Sequence, residues 1–310
     1  MSEALPRAEQ ILRSAGAGRV RTGVRLAPLT SFRIGGPAAL FLEPESEADL
    51  VAAGQALVAT GIPFVVLGKG SNVLVADEGF PGLALRLGRG YRWAAREGTR
   101  LRAGAAMPLP ALAGVALSHG LGGLEFGVAI PGSLGGAVRM NAGAHGAQMS
   151  DVLESVDLFG LLEGGSRSIP AALVGLDYRR SSLPSGAVVV GASVVLSPSD
   201  PGAVRERMDE ARTWRRRTQP LAEANCGSVF KNPPGDHAGR LVEEAGGKGL
   251  RVGGATVSTK HANFIVTSEG ARARDVLELI RTVQDLVAAR SGIRLETEVQ
   301  LVGDLDLAAR

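Results

Sequence analysis

A glycine loop lies between two short apolar runs in Pro63-Phe64-Val65-Val66-Leu67-Gly68-Lys69-Gly70-Ser71-Asn72-Val73-Leu74-Val75. Both runs are typical of buried strands, and a helix is predicted before them, starting at Ser46 and ending at Gly61. P-loops and Rossmann turns must open into a helix, whose N-terminus holds the phosphate. The order strand, glycine loop, strand excludes both, although successive backbone N–H groups can still bind a diphosphate.

A second glycine-rich segment follows in residues 121–146, which hold eight of the 43 glycines of the chain. Its centre reads Pro131-Gly132-Ser133-Leu134-Gly135-Gly136-Ala137, and Asn141-Ala142-Gly143-Ala144 comes after it. Small side chains allow a backbone to approach a ligand closely. For either loop alone, a tight turn is the better explanation. Two such loops, one in each of two α/β units, favour an extended nucleotide cofactor with its diphosphate between the units.

The composition excludes several classes of protein. Hydrophobic residues make up 45% and charged residues 21% of the 310 residues, which is typical of globular chains and not of disordered ones. Aromatic residues reach only 4% and the net charge is +3, so a nucleic-acid partner is not predicted. The single cysteine, Cys226, forbids an intrachain disulfide. The four histidines and Cys226 show no metal-ligand spacing, so no metal site is predicted.

The same sequence predicts a cytoplasmic protein with no membrane segment. Its first ten residues lack the basic and apolar regions of a signal peptide. The stretches without charge, 50–68, 103–124 and 181–199, are all interrupted by proline and polar residues, so we interpret them as buried soluble structure.

The predicted organisation is α+β with three consecutive parts. Residues 1–22 form an N-terminal helix and lead-in, residues 23–200 form two subdomains (about 23–85 and 86–200), and residues 201–310 form an α/β domain. The boundary lies at the polar, proline-rich joint of residues 197–201. The last part begins with a charged helix, 204–217. It ends with a helix over 271–290 and a strand over 293–301 that alternates apolar and polar residues.

A polar loop, residues 224–233, combines Ser228 with Cys226, Lys231 and Asn232. The flanking residues do not form the Gly-x-Ser-x-Gly pattern, so a hydrolase nucleophile is not indicated. We expect Cys226 to be a buried, inert side chain. Lys231 and Asn232 make the loop receptive to anions. Only four of the 34 basic residues are lysines, and three of these lie between residues 231 and 260.

Three further segments carry polar side chains suited to a site. Arg179, in 177–181, could clamp a carboxylate, and Glu298 could turn into a cleft from the polar face that it shares with Glu296. Residues 260–264, Lys-His-Ala-Asn-Phe, could contact phosphate. Each also has a plain interpretation, as a solvated arginine, an outward strand face and a loop.

Taken together, these segments resemble the UDP-N-acetylenolpyruvoylglucosamine reductase family of bacterial cell-wall synthesis. The specific strings are Gly-Ser-x-Phe-Lys-Asn-Pro at 227–233 and Lys-His-Ala-Asn-Phe at 260–264, in this order and spacing. The other matching segments are 30–38, 67–75, 130–146, 178–179, 257–266 and 295–299.

The resemblance implies a two-subdomain FAD-binding unit of the vanillyl-alcohol-oxidase (PCMH) type followed by a substrate-binding domain. It implies non-covalent FAD, NADPH as co-substrate, and reduction of the enolpyruvyl ether of UDP-N-acetylglucosamine enolpyruvate for peptidoglycan synthesis. In the family NADPH reduces the flavin, which passes hydride to the enolpyruvyl group. A cation then stabilises the charge that builds up, and a hydroxyl supplies a proton.

Carried over motif by motif, the resemblance makes Ser228 the proton donor, with Arg179 and Glu298 as catalytic companions. The residues expected at the cofactor are Arg33, Gly68, Lys69, Gly70, Ser71, Asn72, Pro131, Gly132, Ser133, Gly135, Gly136, Asn141, Ala142 and Gly143. The residues expected at the substrate are Tyr178, Lys231, Asn232, Lys260, His261 and Asn263.

The chain departs from the family at two points. Thr297 stands where many relatives have proline, and the tyrosine-bearing substrate loop of one subtype has no counterpart, so the shorter subtype is predicted. Small-molecule substrates and a monomer or weak oligomer are expected. Two other functions stay open from the residues: an FAD oxidase or dehydrogenase with another substrate, and a UDP-sugar-binding module without catalysis.

Overall fold

The computed structural model describes residues 3–17 and 20–307. Residues 1–2 and 18–19 of the predicted N-terminal part, and residues 308–310 of the predicted last part, lie outside the described residues. The helices in this part of the chain are α1 (Ala4–Ser14), α2 (Glu47–Thr60), α3 (Leu109–Ser118), α4 (Leu134–Arg139), α5 (Pro201–Thr218), α6 (Ala238–Glu244) and α7 (Ala273–Ser291). None of them is both long and apolar enough to cross a membrane.

Short strands alternate with these helices, giving an α+β fold. They are β1 (Arg21–Arg25), β2 (Pro37–Leu42), β3 (Phe64–Val66), β4 (Val73–Val75), β5 (Phe80–Leu85), β6 (Ala94–Glu97), β7 (Arg100–Gly104), β8 (Leu121–Gly122), β9 (Gly143–Ala144), β10 (Ala147–Gln148), β11 (Leu153–Gly160), β12 (Ser166–Pro170), β13 (Ala187–Val195), β14 (Ser197–Pro198), β15 (Ala224–Asn225), β16 (Arg251–Val252), β17 (Ala255–Val257), β18 (Ile265–Thr267) and β19 (Gln300–Val302).

The chain forms two compact units that interleave along the sequence. The first unit contains the described residues up to Thr22, Ala39–Lys69 and Gly82–Trp214. The second contains Gly23–Ala38, Gly70–Pro81 and the described residues from Arg215 on. The division into consecutive functional domains, with a boundary near residue 200, stays a prediction.

The first unit has two hydrophobic cores. One lies under an antiparallel sheet with the strand order β12-β11-β13-β7-β6, and it buries α3 and the N-terminal half of α5. The other lies between α1, α2 and strands of the sheet β1-β2-β5-β3, in which β3 and β5 are parallel.

Helix α2 shows how local sequence determines an element. The Ser46 side chain accepts a hydrogen bond from the Asp49 N–H, and the Asp49 carboxylate accepts from the Ser46 N–H at 3.0 Å. This reciprocal pair satisfies two backbone donors at the helix start. Gly61 ends the helix with φ = 64°, a conformation that glycine adopts without steric cost. The predicted start and end of this helix are confirmed.

The second unit is built around α7 and the antiparallel sheet β15-β18-β17-β16. The predicted apolar stripe of α7, Val276, Ile280, Val283 and Val287, is completely buried. Fully burying each such side chain contributes about 1.5–3 kcal/mol, so the stripe holds the helix to the unit. A parallel pair joins β19 to β4, with Gln300 opposite Val73.

Two sequence predictions need correction. The strand expected over 293–301 is wrong for most of its length, because only β19 belongs to a strand and Thr297 makes a single bridge to Phe230. Leu295 and Val299 are nevertheless buried, as the alternation indicated. The second glycine segment, expected to be loops, contains the short helix α4 with Ser133 as its N-cap.

Candidate active site

Both glycine loops contribute to one cavity inside the first unit. The cavity has a volume of about 250 Å³ and is lined by Gly68 and Lys69 from the first loop. Ser133, Gly135 and Gly136 line it from the second loop. Ligand pockets for drug-sized molecules span about 300–1,000 Å³, so this cavity suits one part of an extended cofactor.

Two glycines of the cavity lining are closely packed against neighbouring residues. A Cβ atom on Gly68 would lie 2.8 Å from the Ser133 Oγ, and one on Gly135 would lie 2.9 Å from the Ala105 Cβ. Contacts this short require the neighbour to move. Ser133 is 5% exposed, and its Oγ accepts from the Gly136 N–H at 3.4 Å. The close packing at the two loops therefore depends on the absence of side chains at Gly68 and Gly135.

The charged residues that line the cavity are mostly basic. The cations are Lys69, Arg86, Arg89, Arg92 and Arg139, and the carboxylate among the described lining residues is Glu43. Arg139 donates to the carbonyl oxygens of Leu183 and Pro184 at 2.9 and 3.0 Å, and burial lowers its pKa. A cation-rich cavity walled by glycine backbone fits the diphosphate of a dinucleotide such as FAD.

The other residues expected at the cofactor from the second glycine segment do not line this cavity. Gly132 accepts from the Leu109 N–H at 3.0 Å through its carbonyl, directly after Pro131. Asn141 is 1% exposed, and its Nδ2 donates to the Asp177 carbonyl at 3.1 Å. Ala142 accepts from the Met149 N–H at 3.0 Å. These bonds connect the second loop to α3 and to later segments of the first unit.

The rest of the first loop belongs to the second unit. Gly70 has φ = 66°, its carbonyl accepts from the Ser31 N–H at 2.9 Å, and a Cβ there would lie 2.0 Å from the Leu29 carbonyl oxygen. After Ser71, the Asn72 Nδ2 donates to the Glu298 carbonyl at 3.0 Å. Since a Cβ could not be placed at Gly70, glycine is required there.

Arg33 lies in a turn of the second unit, close to the same loop. It has φ = 57°, and its N–H donates to the Thr30 carbonyl at 3.2 Å. The neighbouring Ser31 has a buried Oγ without a hydrogen-bond partner among the described residues. The Ser31 carbonyl accepts from the Asn225 N–H at 3.1 Å, which ties this turn to the segment that carries Ser228.

The loop of Ser228 is held on one buried amide. The Asn263 Oδ1 accepts from the Phe230 N–H, and the Asn263 Nδ2 donates to the Phe230 carbonyl, both at 2.9 Å. The Asn263 carbonyl accepts from the Val229 N–H at 2.9 Å. Asn263 is 4% exposed, so its side chain fixes the backbone that follows Ser228. Gly227, before the serine, has φ = 82°.

Glu298 lies on the segment paired with this loop. Its N–H donates to the Val229 carbonyl at 2.8 Å, one residue from Ser228, and its carbonyl accepts from Asn72. The Glu298 side chain is half-buried, whereas Glu296 is exposed. Hydrogen bonds in the second unit thus connect the segments that carry Ser228, Glu298, Asn72 and Asn263. Glu298 does not share the full exposure of Glu296.

Cys226 is buried, as predicted. Burial raises the pKa of its thiol, and the negative charge of Glu298 raises this pKa further. The thiol is therefore protonated at neutral pH, which makes it a poor nucleophile.

Arg179 is presented by a tight turn of the first unit. It has φ = 56°, a left-handed conformation that costs a non-glycine residue about 1–2 kcal/mol. Its Nη2 donates to the Gly143 carbonyl at 2.8 Å, and its guanidinium lies 5.0 Å from the centre of the Tyr178 ring. The Asn141 bond to Asp177 fixes the start of the turn. Strand β9 and the Arg179 turn thus form one assembly.

The two polar residues after the Ser228 loop have partners in the second unit. The Lys231 Nζ lies 2.5 Å from the Glu296 Oε1, with the lysine side chain 17% exposed and the glutamate side chain 72% exposed. The Asn232 Oδ1 accepts from the Ala238 N–H at 3.0 Å, at the start of α6.

Lys260 and His261 lie in the loop before Asn263. The Lys260 Nζ donates to the Arg216 carbonyl at 2.7 Å. The His261 Nδ1 accepts from the Asn263 N–H at 3.2 Å, and burial, with a smaller effect of the Lys248 charge, lowers the pKa of His261. His261 is therefore neutral at pH 7.

Five charged residues that line the cavity were missed from the sequence: Glu43, Arg86, Arg89, Arg92 and Arg139. The spacing of three arginines at 86, 89 and 92 was the available signal. Within residues 3–17 and 20–307, no three His, Cys, Asp or Glu side chains are grouped so that they could hold a metal ion.

Comparison with protein families gives two matches along the chain. A family described as FAD binding domain matches residues 38–161, which include most of the residues that line the cavity. The C-terminal domain of UDP-N-acetylenolpyruvoylglucosamine reductase matches residues 219–302, which include Ser228, Asn263 and Glu298.

Individual proteins match over nearly the whole chain. UDP-N-acetylenolpyruvoylglucosamine reductase of Anaeromyxobacter sp. (strain Fw109-5) is 47% identical over 93% of this chain and 90% of that protein. The reductase 2 of Symbiobacterium thermophilum is 44% identical over 98% of each. The crystal structure of the reductase from Thermus caldophilus matches with a TM-score of 0.81 and 39% identity, over 92% of this chain and 99% of that one.

Proposed function

The chain belongs to the UDP-N-acetylenolpyruvoylglucosamine reductase family, and from this premise we propose how its residues reduce the enolpyruvyl ether of the UDP-sugar. It is an FAD-dependent oxidoreductase of peptidoglycan synthesis that takes its electrons from NADPH. The observation that carries the assignment of residues is the pairing of the Ser228 loop with the segment of Glu298, through the Glu298 N–H and the Val229 carbonyl. Action as a cytoplasmic monomer or weak oligomer remains a prediction.

We assign the cavity of the first unit to the diphosphate of FAD. Gly68, Gly135 and Gly136 would let the backbone approach the diphosphate, and Lys69 and Arg86 would balance its charge. When bound, FAD supplies the two-electron chemistry between NADPH and the alkene. The chain itself must position the substrate and manage charge and protons.

Ser228 donates the proton that completes the reduction. Reduction of the alkene leaves negative charge on the carbon next to the substrate carboxylate, and that carbon must receive a proton. A hydroxyl within hydrogen-bond reach can donate its O–H proton there, a contribution of about 10²–10⁴-fold to the rate. The Asn263 bonds to Phe230 and Val229 hold the serine backbone in place, so the donor is preorganised.

Arg179 stabilises the charge that develops before this proton arrives. Its guanidinium is oriented by the bond to Gly143 and by the Tyr178 ring, so it need not reorganise during the reaction. A left-handed residue in a turn of this kind marks a position where function tolerates backbone strain. Tyr178, which is 41% exposed, is the adjoining substrate contact.

Glu298 supplies a hydrogen-bond acceptor. An enol hydroxyl of the substrate and the Ser228 hydroxyl are the donors that this carboxylate would accept. Lys231, Asn232, Lys260 and His261 form the polar surroundings that we assign to the anionic groups of the substrate.

The test is a pair of half-reactions. The purified protein should show the visible spectrum of a flavin and should bleach on NADPH. The Ser228→Ala variant should bleach at the normal rate, and its reoxidation by UDP-N-acetylenolpyruvoylglucosamine should be slower by about 10²–10⁴-fold, because only proton donation is lost. Unchanged turnover would remove Ser228 from the mechanism. NADPH oxidation without the UDP-sugar would favour an oxidase, and a colourless protein that binds the sugar would indicate a binding module.

A further inference from the structure

Glu43 is an acidic side chain in a basic place. It follows β2 directly and lines the cavity, whose other charged lining residues, among those the structure describes, are lysine and arginine. The Arg21 Nη2 donates to the Glu43 Oε2 at 2.8 Å, and the Arg21 guanidinium lies 4.9 Å from the centre of the Phe41 ring. The Glu43 side chain is 28% exposed to solvent. Its carboxylate is thus held in position at the cavity wall.

The segment of Glu43 is locked to the turn that carries the arginines. The Arg86 N–H donates to the Leu42 carbonyl at 3.0 Å, and the Gly88 N–H donates to the Pro44 carbonyl at 2.8 Å. The Gly90 N–H donates to the Glu45 Oε2 at 2.6 Å. These bonds fix Arg86, Arg89 and Arg92 beside Glu43, so both signs of charge are presented from one built surface.

The carboxylate of Glu43 and the nearby arginines should bind chemically different parts of a ligand. Arginines attract phosphate, whereas a carboxylate repels it and has only acceptors to offer. The ligand group opposite Glu43 must therefore donate hydrogen bonds and carry no negative charge. A ribose diol meets both conditions, and carboxylates that follow a strand receive the ribose hydroxyls in other nucleotide sites.

We propose that Glu43 binds the ribose hydroxyls of the adenosine half of the cofactor, while Arg86, Arg89 and Arg92 hold the adjoining diphosphate. This inference rests on the proposed function, because it takes FAD as the occupant of the cavity. It makes Glu43 a determinant of cofactor choice: FMN contains no adenosine and gains nothing from this carboxylate. Arg21 is a positioning residue that acts through Glu43.

The experiment measures cofactor affinity and not turnover. The full chain, freed of flavin, is titrated with FAD and separately with FMN, and quenching of flavin fluorescence gives each Kd. Glu43→Gln should weaken FAD binding about tenfold, because a hydrogen bond to a charged acceptor becomes a neutral one. FMN binding should change by less than about twofold. The Kd of ADP, measured by competition with FAD, should rise by the same factor as the Kd of FAD.

Two further variants complete the design. Glu206→Gln, at an exposed position of α5 outside the cavity lining, is the matched control and should leave both Kd values unchanged. Arg21→Gln leaves Glu43 in the chain and should shift the FAD to FMN ratio in the same direction as Glu43→Gln. This variant keeps the inference testable if Glu43→Gln folds poorly.

Two results would overturn the inference. Equal weakening of FAD and FMN would place Glu43 at the flavin half, and unchanged FAD binding in both variants would mean that Glu43 does not touch the cofactor. A wild-type protein that binds no flavin at all contradicts the proposed function instead, so the two failures are distinguishable.

Discussion

The cavity of the first unit and the Ser228 loop of the second unit are built on opposite principles. At the cavity, Gly68 and Gly135 let Ser133 and Ala105 pack closer than an added Cβ would allow. At the Ser228 loop, one buried side chain, Asn263, ties down the backbone by hydrogen bonds. The first region depends on glycines that have no side chain. The second depends on one side chain whose amide oxygen and nitrogen both form hydrogen bonds. We therefore expect cofactor binding and catalysis to respond to different substitutions.

The largest effect on stability and catalysis should come from Asn263→Ala. It leaves the Phe230 N–H and carbonyl buried without their partner, and each such group costs about 1–3 kcal/mol. We expect the free energy of unfolding to fall by about 3 kcal/mol and kcat to fall at least tenfold, both measurable by urea unfolding and steady-state kinetics.

The control for Asn263 is Gln284→Ala. Gln284 is 7% exposed, and its Nε2 donates to the Leu295 carbonyl at 2.8 Å in the same unit. Its loss should lower stability by about 1–2 kcal/mol and leave kcat unchanged. An equal fall of kcat in both variants would show that Asn263 acts only through stability.

The cavity can be broken without touching Ser228 by Gly135→Ala. The added Cβ would lie 2.9 Å from the Ala105 Cβ, and overpacking of this kind costs about 1–3 kcal/mol. FAD affinity should fall about tenfold, measured by flavin fluorescence. Gly114→Ala, also helical but with nothing within 4 Å of the new carbon, should raise stability by about 0.5–1 kcal/mol and leave FAD affinity unchanged. Similar FAD affinity in both variants would contradict the role of space at Gly135.

A smaller effect should sharpen the role of the lysine beside the serine loop. Lys231→Ala should raise the KM for the UDP-sugar about tenfold, because an ammonium that meets an anionic group is lost. Glu296→Gln removes the same exposed ion pair, worth about 0–1 kcal/mol, but keeps the ammonium. If both variants behaved alike, or if KM did not change in Lys231→Ala, the lysine would serve the ion pair only. Lys260→Ala provides a second measurement of the same kind.

The smallest effect concerns pH and the second region only. Since burial raises the pKa of Cys226 in the folded state, its neutral thiol stabilises the fold fully below the ordinary thiol pKa. This contribution is lost as pH rises above that value, by about 1.4 kcal/mol per pH unit. Urea midpoints at pH 8 and pH 10 should therefore differ less in Cys226→Ala than in the parent protein. Equal differences would mean that the thiol ionises while folded.

Sequence was most informative where structure is local. The Ser46–Asp49 pair, Gly61 and the stripe of α7 each depend on residues within a turn or two, and all were predicted correctly. The prediction that a strand and not a helix follows Gly68–Asn72 was also correct, because β4 begins at Val73. The two glycine loops were predicted to serve one ligand, and both line the same cavity.

Long-range partners could not be predicted in this way. Hydrogen bonds between Asp177 and Arg180 close the left-handed turn of Arg179 locally, but the Asn141 side chain that donates to the Asp177 carbonyl lies 36 residues away. Asn263 was assigned to the substrate, whereas its amide is occupied 33 residues away at Phe230. The alternation over 293–301 describes burial correctly but not hydrogen bonding, since most partners of that segment are loops.

The bond from Asn72 to Glu298 joins residues 226 positions apart, and Gln300 returns a second bond to the Asn72 carbonyl. During synthesis a nascent chain holds its first glycine loop long before the segment that anchors it has left the ribosome. Contacts of such sequence separation form late and slowly. The anchoring of this loop therefore belongs to the completed polypeptide, and chains stalled before residue 298 would leave Asn72 without that bond.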